Sequence, residues 1–323
     1  MKPKRQTIHF DKTLIDKDAQ KVVKTLNKAG HEAYLVGGCI RDLLLGHKPK
    51  DFDIATCATP EQVHQIFKRS RLIGRRFRLV HIMFSSRKYI EVATFRSGKV
   101  RAAGNGVIVR DNLYGTLKED AFRRDFSVNA LYYDIQNSQV IDYVDGLNAL
   151  NNSEIRVIGN PVERFKEDPV RMIRAIRFKV KLGASIDPKI LKSISNQAYL
   201  LANIPAARLY DECIKLFHNE NAYEVFEQLV KCGLLNYLFP QTEETSFISK
   251  TLLNTSKRIK SGKPVTPAFL FAVFLWEAQN KRFNELNKKK KSRFLIMIQA
   301  SEDVISKQTE QVLMPRWLSA RVK

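Results

Sequence analysis

Hydrophobic residues are spaced differently in the two halves of the chain. Apolar positions in residues 16–28 recur every three or four residues, which predicts an amphipathic helix that is closed by Gly30. From about Pro161 onward the apolar spacing is helical as well. Short apolar segments predict strands at residues 33–36, 51–55, 79–84, 89–94, 130–135 and 140–142. The pattern therefore predicts a mixed α/β region of about 150 residues followed by an all-helical region.

Composition narrows the class of protein. The chain has 323 residues and is 44% hydrophobic, which is enough for a packed core. Its longest uninterrupted apolar run, residues 268–276, is far too short to cross a bilayer. The first ten residues lack the apolar core of a signal peptide, and the four cysteines show no C-x-x-C spacing typical of zinc sites. We therefore expect a soluble, cytoplasmic protein with no membrane partner and no disulfide framework.

The chain is strongly basic, and its positive charge is clustered. There are 55 Lys and Arg against 33 Asp and Glu, and residues 250–323 carry +11 of the net charge of +22. Six further basic residues lie within residues 68–78. Such clusters are typical of nucleic-acid-binding surfaces, while a solvated face and an anionic membrane are the alternatives. The predicted RNA contacts are Arg75, Arg76, Arg78, Lys288, Lys289, Lys290 and Lys291.

Two aspartates separated by one residue are the first candidates for catalytic chemistry. Asp51 and Asp53 are predicted on one strand, where alternate side chains point to the same face. Like charges this close are costly unless a cation lies between them, and carboxylate oxygens suit Mg²⁺ that also holds phosphates. A pair of such ions can stabilise the attacking and leaving oxygens of phosphoryl transfer. The alternative is an ordinary solvated strand surface.

Residues upstream of the aspartates favour the phosphate-binding interpretation. Gly37 and Gly38 join a predicted strand to a predicted helix, and without side chains they let backbone N–H groups approach a phosphate. Arg41, one turn into that helix, adds a positive charge. A simple strand–helix turn is the alternative for the glycines, but it leaves the arginine unexplained.

A third acid near the aspartate pair would complete a catalytic site. Glu91, on the predicted strand at 89–94, and Asp125, next to Arg124, are the two candidates. Either would bind a second metal ion or accept the proton of an attacking hydroxyl, and an ordinary salt bridge is the alternative for each. We include Asp125 in the catalytic set and keep Glu91 open.

A helix predicted after residue 168 presents a row of arginines. At about 100° per residue, Arg171, Arg174 and Arg177 fall within an arc of about 120°. Asp168 and Arg171 pair an acceptor with a donor, which matches the base edge of adenine or cytosine and is reversed for guanine and uracil. We therefore predict that this motif selects adenine and cytosine together without separating them. The alternative for Asp168 is a helix N-cap.

Taken in order, these residues resemble the class II nucleotidyltransferases with a polymerase-beta-like palm, the family of CCA-adding enzymes and bacterial poly(A) polymerases. The resemblance covers the segments LVGGCIRDLLLG (35–46), KDFDIAT (50–56), EDAFRRDFSVNALYY (119–133), IDYVDGLNAL (141–150) and RFKEDPVRMIRAIRF (164–178). It implies an α+β fold, in which a nucleotidyltransferase head with a mixed sheet and helices precedes an all-helical neck and body.

The resemblance also implies a role for each motif residue. Asp51 and Asp53 would bind metal, while Asp168 and Arg171 would read the base. The residues that would hold triphosphate and ribose are Gly37, Gly38, Arg41, Arg124, Arg174 and Arg177. Mg²⁺ is the implied cofactor, ATP the nucleotide substrate, and RNA 3′ ends the partner.

Residues 72–82 resemble a segment that marks bacterial poly(A) polymerases rather than CCA-adding enzymes. The implied activity is template-independent addition of AMP from ATP to RNA 3′ ends with release of pyrophosphate. A CCA-adding tRNA nucleotidyltransferase and a non-catalytic RNA-binding protein on a degenerate palm are the alternatives. The sequence leaves open the substrate RNAs, the tail length and the oligomeric state, for which we expect a monomer.

The order of the motifs divides the chain into four predicted parts. Residues 1–30 form a basic arm and helix, and residues 31–155 form the head. Residues 156–240 form a helical neck that binds nucleotide and RNA, and residues 241–323 form a helical body with a basic, shortened C-terminus. The loop after residue 96 is also shorter than expected for poly(A) polymerases. These two departures concern RNA binding and tail length, since the head contains all of its motifs.

Overall fold

The computed structural model describes residues 2–8, 10–74, 78–86, 88–97, 101–102, 108–110, 114–243, 245–287 and 292–323. The chain divides into two units, Met1–Gly159 and Asn160–Lys323. All of the described strands belong to the first unit. The division into four parts that the sequence suggests stays a prediction.

The first unit is built on a mixed sheet. Its strands are β1 (Lys4–Thr7), β2 (Ala33–Val36), β3 (Asp53–Thr56), β4 (Ser70–Ile73), β5 (Leu79–Met83), β6 (Tyr89–Thr94), β7 (Arg101–Ala102), β8 (Ile108–Arg110), β9 (Leu131–Asp134) and β10 (Gln139–Asp142). Eight of them form one sheet in the order β1-β10-β9-β2-β3-β6-β5-β4, while β7 pairs with β8. β3 and β6 run parallel, and the other described pairs run antiparallel. The mixed α/β region predicted for the first half is confirmed.

The described part of the first unit also contains α-helices with clear start signals. They are α1 (Lys17–Lys28), α2 (Gly38–Leu44), α3 (Pro60–Ile66), α4 (Leu117–Arg123) and α5 (Gly146–Asn151). Asp16 caps α1, and the apolar stripe that predicted this helix is buried. α4 begins with a capping box in which Thr116 and Glu119 each bond the backbone N–H of the other. The local sequence therefore explains where α1 and α4 begin.

Both faces of the central strands are covered. On one face, Leu117 and Ala121 of α4 pack with Val36 and Ala55 in a buried cluster. The alternate residue Ile54 is also buried, so the opposite face of β3 is covered as well. α1 contacts β2, β3 and β6, and α3 contacts β4, β5 and β6. This packing fixes the strands that carry the candidate site.

Strands β4, β7 and β8 were not predicted from the sequence, and two further segments differ from its pattern. Residues 4–7, expected in a basic arm, form edge strand β1 and pair with β10. All four of these residues are exposed, so no apolar alternation marked the strand. β3 begins at Asp53, two residues later than predicted, although exposed Asp51, buried Phe52 and exposed Asp53 keep the expected alternation.

All of the named secondary-structure elements described in the second unit are helices. Its α-helices are α6 (Pro161–Glu167), α7 (Val170–Lys181), α8 (Pro188–Gln197), α9 (Ala206–Phe217), α10 (Ala222–Lys231), α11 (Ser246–Lys260), α12 (Pro267–Leu286), α13 (Arg293–Gln311) and α14 (Arg316–Val322). Its core contains aromatic rings, with Phe239 stacked on Phe274 at a centroid distance of 4.0 Å. None of the described helices is long and apolar enough to cross a membrane. The all-helical region predicted after Pro161 is confirmed.

Candidate functional site

The turn between β2 and α2 places two guanidinium groups against a pair of glycines. Gly37 has a φ of 83°, a left-handed conformation that favours glycine. A Cβ atom at Gly37 would lie 3.7 Å from Nη1 of Arg124, and one at Gly38 would lie 3.4 Å from Nη2 of Arg41. The glycines therefore leave room for arginine side chains close to the backbone of this turn.

Asp51 and Asp53 lie beside the glycine turn, because Asp53 pairs with Val36 across β2 and β3. Both aspartate side chains are exposed, and within the described residues neither makes a hydrogen bond or ion pair. Although solvent reaches Asp53, surrounding protein atoms displace much of its hydration, and this desolvation raises its pKa to about 6. The negative charge of Glu91 raises the pKa further, while Arg124 opposes the shift.

The aspartate pair fits the donor chemistry of a magnesium site. Its carboxylates are hard oxygen ligands, and a divalent ion would relieve their mutual repulsion. The part of the chain that the structure describes has no group of three or more His, Cys, Asp or Glu placed to hold a metal. Two carboxylates suffice for Mg²⁺, which usually completes its octahedron with phosphates and water. The chemistry of Asp51 and Asp53 is consistent with the predicted metal site. Metal binding by these residues stays a prediction.

Glu91 is the acid that the sheet places beside Asp53. It lies directly opposite Asp53 in the parallel pairing of β3 and β6. Asp125 follows α4, and its Oδ1 accepts the N–H of Phe126 at 2.8 Å. The catalytic role expected for Asp125 stays a prediction, and the strand register favours Glu91.

Arg41 is buried below the turn, with 3% of its surface exposed. Its Nε and Nη2 donate to Oδ1 of Asp42 at 2.8 and 2.6 Å. Its Nη1 donates to Oδ1 of Asn129 at 2.6 Å. These bonds give Arg41 a structural role in joining α2 to the segment before β9. Its contact with a triphosphate stays a prediction.

Arg124 is held by Asp120, a buried residue that the sequence did not single out as functional. Asp120 is 1% exposed, and its Oδ2 accepts bonds from Nε and Nη2 of Arg124 at 3.2 and 3.1 Å. The Tyr132 hydroxyl donates to the same oxygen at 2.7 Å. Burial raises the pKa of Asp120, but the charges of Arg124 and Arg123 outweigh it and hold the pKa at about 2. The sequence did contain a signal for this pairing. Asp120 precedes Arg123 by three residues and Arg124 by four, and residues at these spacings lie on the same face of a helix.

In the second unit, the side chains of Asp168 and Arg171 bind separate partners. Oδ1 of Asp168 accepts the N–H of Val170 at 3.3 Å. The N-cap position of α7 is nevertheless Pro169, so the alternative of Asp168 as the helix N-cap is wrong by one residue. Oδ2 of Asp168 accepts Nη2 of Arg208 at 2.7 Å. Nη1 of Arg171 donates to Oε2 of Glu167 at 2.9 Å. These contacts orient both side chains within the protein. Base recognition by Asp168 and Arg171 stays a prediction.

Arg174 and Arg177 flank a buried glutamate on α9. Glu212 is 5% exposed, and its carboxylate oxygens lie 3.8 Å from each of these guanidinium groups. Lys215 donates to the same carboxylate at 3.1 Å. The guanidinium carbon of Arg177 also lies 4.7 Å from the ring centroid of Phe178. The arginines of α7 thus have an acidic neighbour, and their phosphate contacts stay predictions.

Most of the predicted RNA contacts fall where the structure gives no description. Outside the described residues lie Arg75, Arg76, Lys288, Lys289, Lys290 and Lys291. Arg78 is described, and its Nη1 donates to Oε1 of Glu61 at 2.7 Å on the exposed surface. RNA binding by these seven residues stays a prediction.

Known proteins resemble both units in sequence. Residues 33–156 match the family described as "Poly A polymerase head domain", and residues 183–245 match "Probable RNA and SrmB- binding site of polymerase A". Poly(A) polymerase I of Salmonella typhimurium is 48% identical over 81% of this chain and 60% of its own length. Poly(A) polymerase I of Haemophilus influenzae is 44% identical over 85% of this chain and 68% of its own length. The chain thus spans 60 to 68% of the length of these relatives.

Solved structures share the fold. The CCA-adding enzyme of Bacillus stearothermophilus in complex with CTP is 27% identical, with a TM-score of 0.61 over 95% of this chain and 82% of that one. The Thermotoga maritima CCA-adding enzyme complexed with tRNA has a TM-score of 0.68 over 98% of this chain and 72% of that one, at 21% identity. The α+β fold with a nucleotidyltransferase head and a helical remainder is confirmed. With its motifs matched by sequence and its fold by structure, the chain belongs to the class II nucleotidyltransferases, the family of bacterial poly(A) polymerases and CCA-adding enzymes.

Proposed function

We propose that this chain is a template-independent polynucleotide adenylyltransferase, which adds AMP from ATP to the 3′ end of RNA and releases pyrophosphate. The proposal rests chiefly on the exposed Asp51 and Asp53 pair, which lies beside the glycine turn without a cation partner among the described residues. Identity of 44 to 48% to Poly(A) polymerase I, against 34 to 38% to CCA-adding enzymes, supports AMP addition over the CCA-adding alternative.

The residues of the first unit would act mainly by binding and orientation. Asp51 and Asp53 would hold Mg²⁺, which when bound supplies charge neutralisation at the phosphates and favours the ionised form of an attacking hydroxyl. Arg124 would contact the triphosphate, with its guanidinium held in place by Asp120 and Tyr132. The protein would therefore lower the barrier through positioning and preorganised charge rather than through a covalent step.

Glu91 is the third acid of the proposed site, because the register of β3 and β6 places it opposite Asp53. We expect Glu91→Gln to lower the kcat for AMP addition more than Asp125→Asn does, with the KM for ATP nearly unchanged in both. Steady-state kinetics with a short RNA measure this ranking. The reverse ranking would return the role to Asp125.

Asp168 and Arg171 would read the base, and their order of acceptor and donor fits adenine and cytosine. ATP should be the best substrate, CTP the next and GTP and UTP the poorest. Arg171→Ala should flatten this ranking, since a good bidentate base contact contributes about 1–3 kcal/mol of discrimination. Lys179→Ala is the matched control, because Lys179 lies on the same helix and donates to Gln228 instead.

The decisive experiment incubates the purified protein with a short generic RNA, Mg²⁺ and each NTP separately. Runs of AMP added from ATP support the proposal. Efficient CTP addition that requires a tRNA end would favour the CCA-adding alternative. RNA binding without incorporation of any nucleotide would favour the non-catalytic alternative.

RNA is the proposed partner of the basic segments. Replacing Lys288 to Lys291 with Gln should raise the KM for RNA and leave the KM for ATP unchanged. RNA affinity should also become less dependent on salt, by about 0.7 in the log–log slope for each phosphate that the variant no longer neutralises. An unchanged salt slope would assign these lysines to a solvated surface. A monomeric state and a cytoplasmic location remain part of this proposal.

A further inference from the structure

Charged side chains form a row across four strands of the first unit. Asp53 on β3 lies opposite Glu91 on β6. Glu91 lies opposite His81 on β5, and His81 lies opposite Arg71 on β4. Residues directly opposite each other on neighbouring strands point to the same face. The row therefore leads from the aspartate pair to the edge of the sheet and changes from acidic to basic.

His81 contacts the acid in the middle of this row. Its Nε2 lies 3.4 Å from Oε2 of Glu91. The imidazole is itself supported, because it stacks on Tyr89 with ring centroids 4.1 Å apart and an interplanar angle of 11°. The side chain of His81 is 19% exposed, whereas Tyr89 is 50% exposed and covers one face of the imidazole. The imidazole therefore has one partner at its edge and another on its face.

We propose that His81 is a positioning residue that fixes the carboxylate of Glu91 beside Asp53, with Tyr89 as its support. The inference rests on the proposed function, in which Glu91 is the third acid. A glutamate side chain has several rotatable bonds, so a contact at one oxygen restricts the orientations of the other. The parallel register of β3 and β6 places Glu91 directly opposite Asp53. Orientation of Glu91 should therefore matter for the chemical step.

The competing explanations for His81 make different kinetic predictions. If His81 only packs on Tyr89, then any side chain of similar size should serve. If the His81 and Tyr89 rings instead stack with a base of the RNA, then their loss should raise the KM for RNA. A positioning role predicts a loss of kcat with both KM values kept, because Glu91 would act after the substrates are bound.

The test compares two substitutions of the same residue in the full chain. His81→Leu removes the imidazole nitrogen, and His81→Gln keeps an N–H donor at a similar reach. We expect His81→Leu to lower the kcat for AMP addition by about tenfold to a hundredfold, with the KM for ATP and for RNA within about twofold. His81→Gln should recover most of the lost rate. His64→Leu is the matched control, since His64 on α3 contacts the hydroxyl of Ser70 and should leave kcat unchanged.

A double-mutant cycle with Glu91→Gln completes the test. If His81 acts through Glu91, then His81→Leu should cost little further rate once Glu91 is replaced. Additive losses, equal losses in the Leu and Gln variants, or a raised KM for RNA at unchanged kcat would overturn the inference. An unmutated protein that adds no AMP would overturn the proposed function as well. An active unmutated protein with an unimpaired His81→Leu variant would overturn this inference alone.

Discussion

The two units differ in how their charged side chains are paired. In the first unit, Asp51 and Asp53 are exposed like charges that have no partner within the described ranges. In the second unit, Asp168 contacts Arg208, and Glu212 lies between arginines. Like charges held together repel each other unless a cation lies between them, whereas neighbouring opposite charges offset each other within the protein. The difference separates a pair of unneutralised carboxylates from carboxylates that have basic neighbours within the fold.

Two aspartates in the first unit show the same contrast at close range. The pKa of Asp53 is raised to about 6, first by desolvation and then by the charge of Glu91. The pKa of Asp120 is held at about 2, because two arginines outweigh the effect of its burial. The charge of Arg124 lowers the pKa of both aspartates. Of the two, however, only Asp120 accepts hydrogen bonds from Arg124. Direct pairing with a cation, rather than burial, therefore decides the direction of the shift.

The largest effect is expected at the unpaired aspartates. Asp53→Asn should lower AMP addition by at least about a hundredfold, because the charge that would hold Mg²⁺ is lost. The fold should not lose stability at pH 7 without Mg²⁺. The raised pKa of Asp53 means that ionisation between about pH 4 and pH 6 disfavours the folded state, and the substitution removes this penalty. Activity assays with Mg²⁺ measure the loss of AMP addition. Urea denaturation in EDTA measures the stability of the variant. Retained activity or a clearly destabilised variant would contradict the proposed difference between the unpaired aspartates and the paired charges of the second unit.

The opposite result is expected in the second unit. Glu212→Ala should lower the free energy of unfolding by about 3 kcal/mol, because the basic groups around a buried carboxylate lose their partner. Asp211→Ala is the matched control, since Asp211 is an exposed acid on the same helix. Urea denaturation of the two variants gives the difference. Equal effects would show that Glu212 contributes no more than a surface charge.

The stability of the protein at acidic pH should depend on Asp120, the paired aspartate of the first unit. The pKa of Asp120 is lowered from 3.8 to about 2, so its ionised form stabilises the fold above about pH 4. This contribution of about 2 kcal/mol should be lost as the pH falls from about 4 to about 2. Asp120→Asn should flatten the decline over that range. An unaltered pH profile for the variant would show that other carboxylates control acid unfolding.

The smallest effect is expected at the exposed ion pair between Arg208 and Asp168 in the second unit. The Arg208 side chain is about half exposed, and Asp168 keeps its bond to the N–H of Val170 without it. Arg208→Gln should therefore cost less than about 1 kcal/mol of stability, and salt should reduce the effect. Thermal denaturation at low and high salt measures it. A loss as large as that of Glu212→Ala would show that Asp168 depends on its cation as strongly as the buried glutamate does.

Features that depend on neighbouring residues in the chain were predictable. The apolar stripe of α1 and the strand at 89–94 matched the structure, because burial on one face leaves a periodic pattern in the sequence. The helical second unit followed for the same reason. The exposed Asp51 and Asp53 were also predictable, since residues two apart on an extended segment share a face.

Features that depend on pairing between distant segments were decided only by the tertiary structure. Strand β1 has four exposed residues and is defined by its backbone bonds to β10, which leave no apolar pattern. The choice of Glu91 as the neighbour of Asp53 required the register of β3 and β6. The partner of Asp168 was likewise visible only once α9 brought Arg208 to it. A sequence shows which charges a protein carries, whereas the register of strands and the packing of helices decide which of those charges are neutralised within the fold and which remain for a ligand.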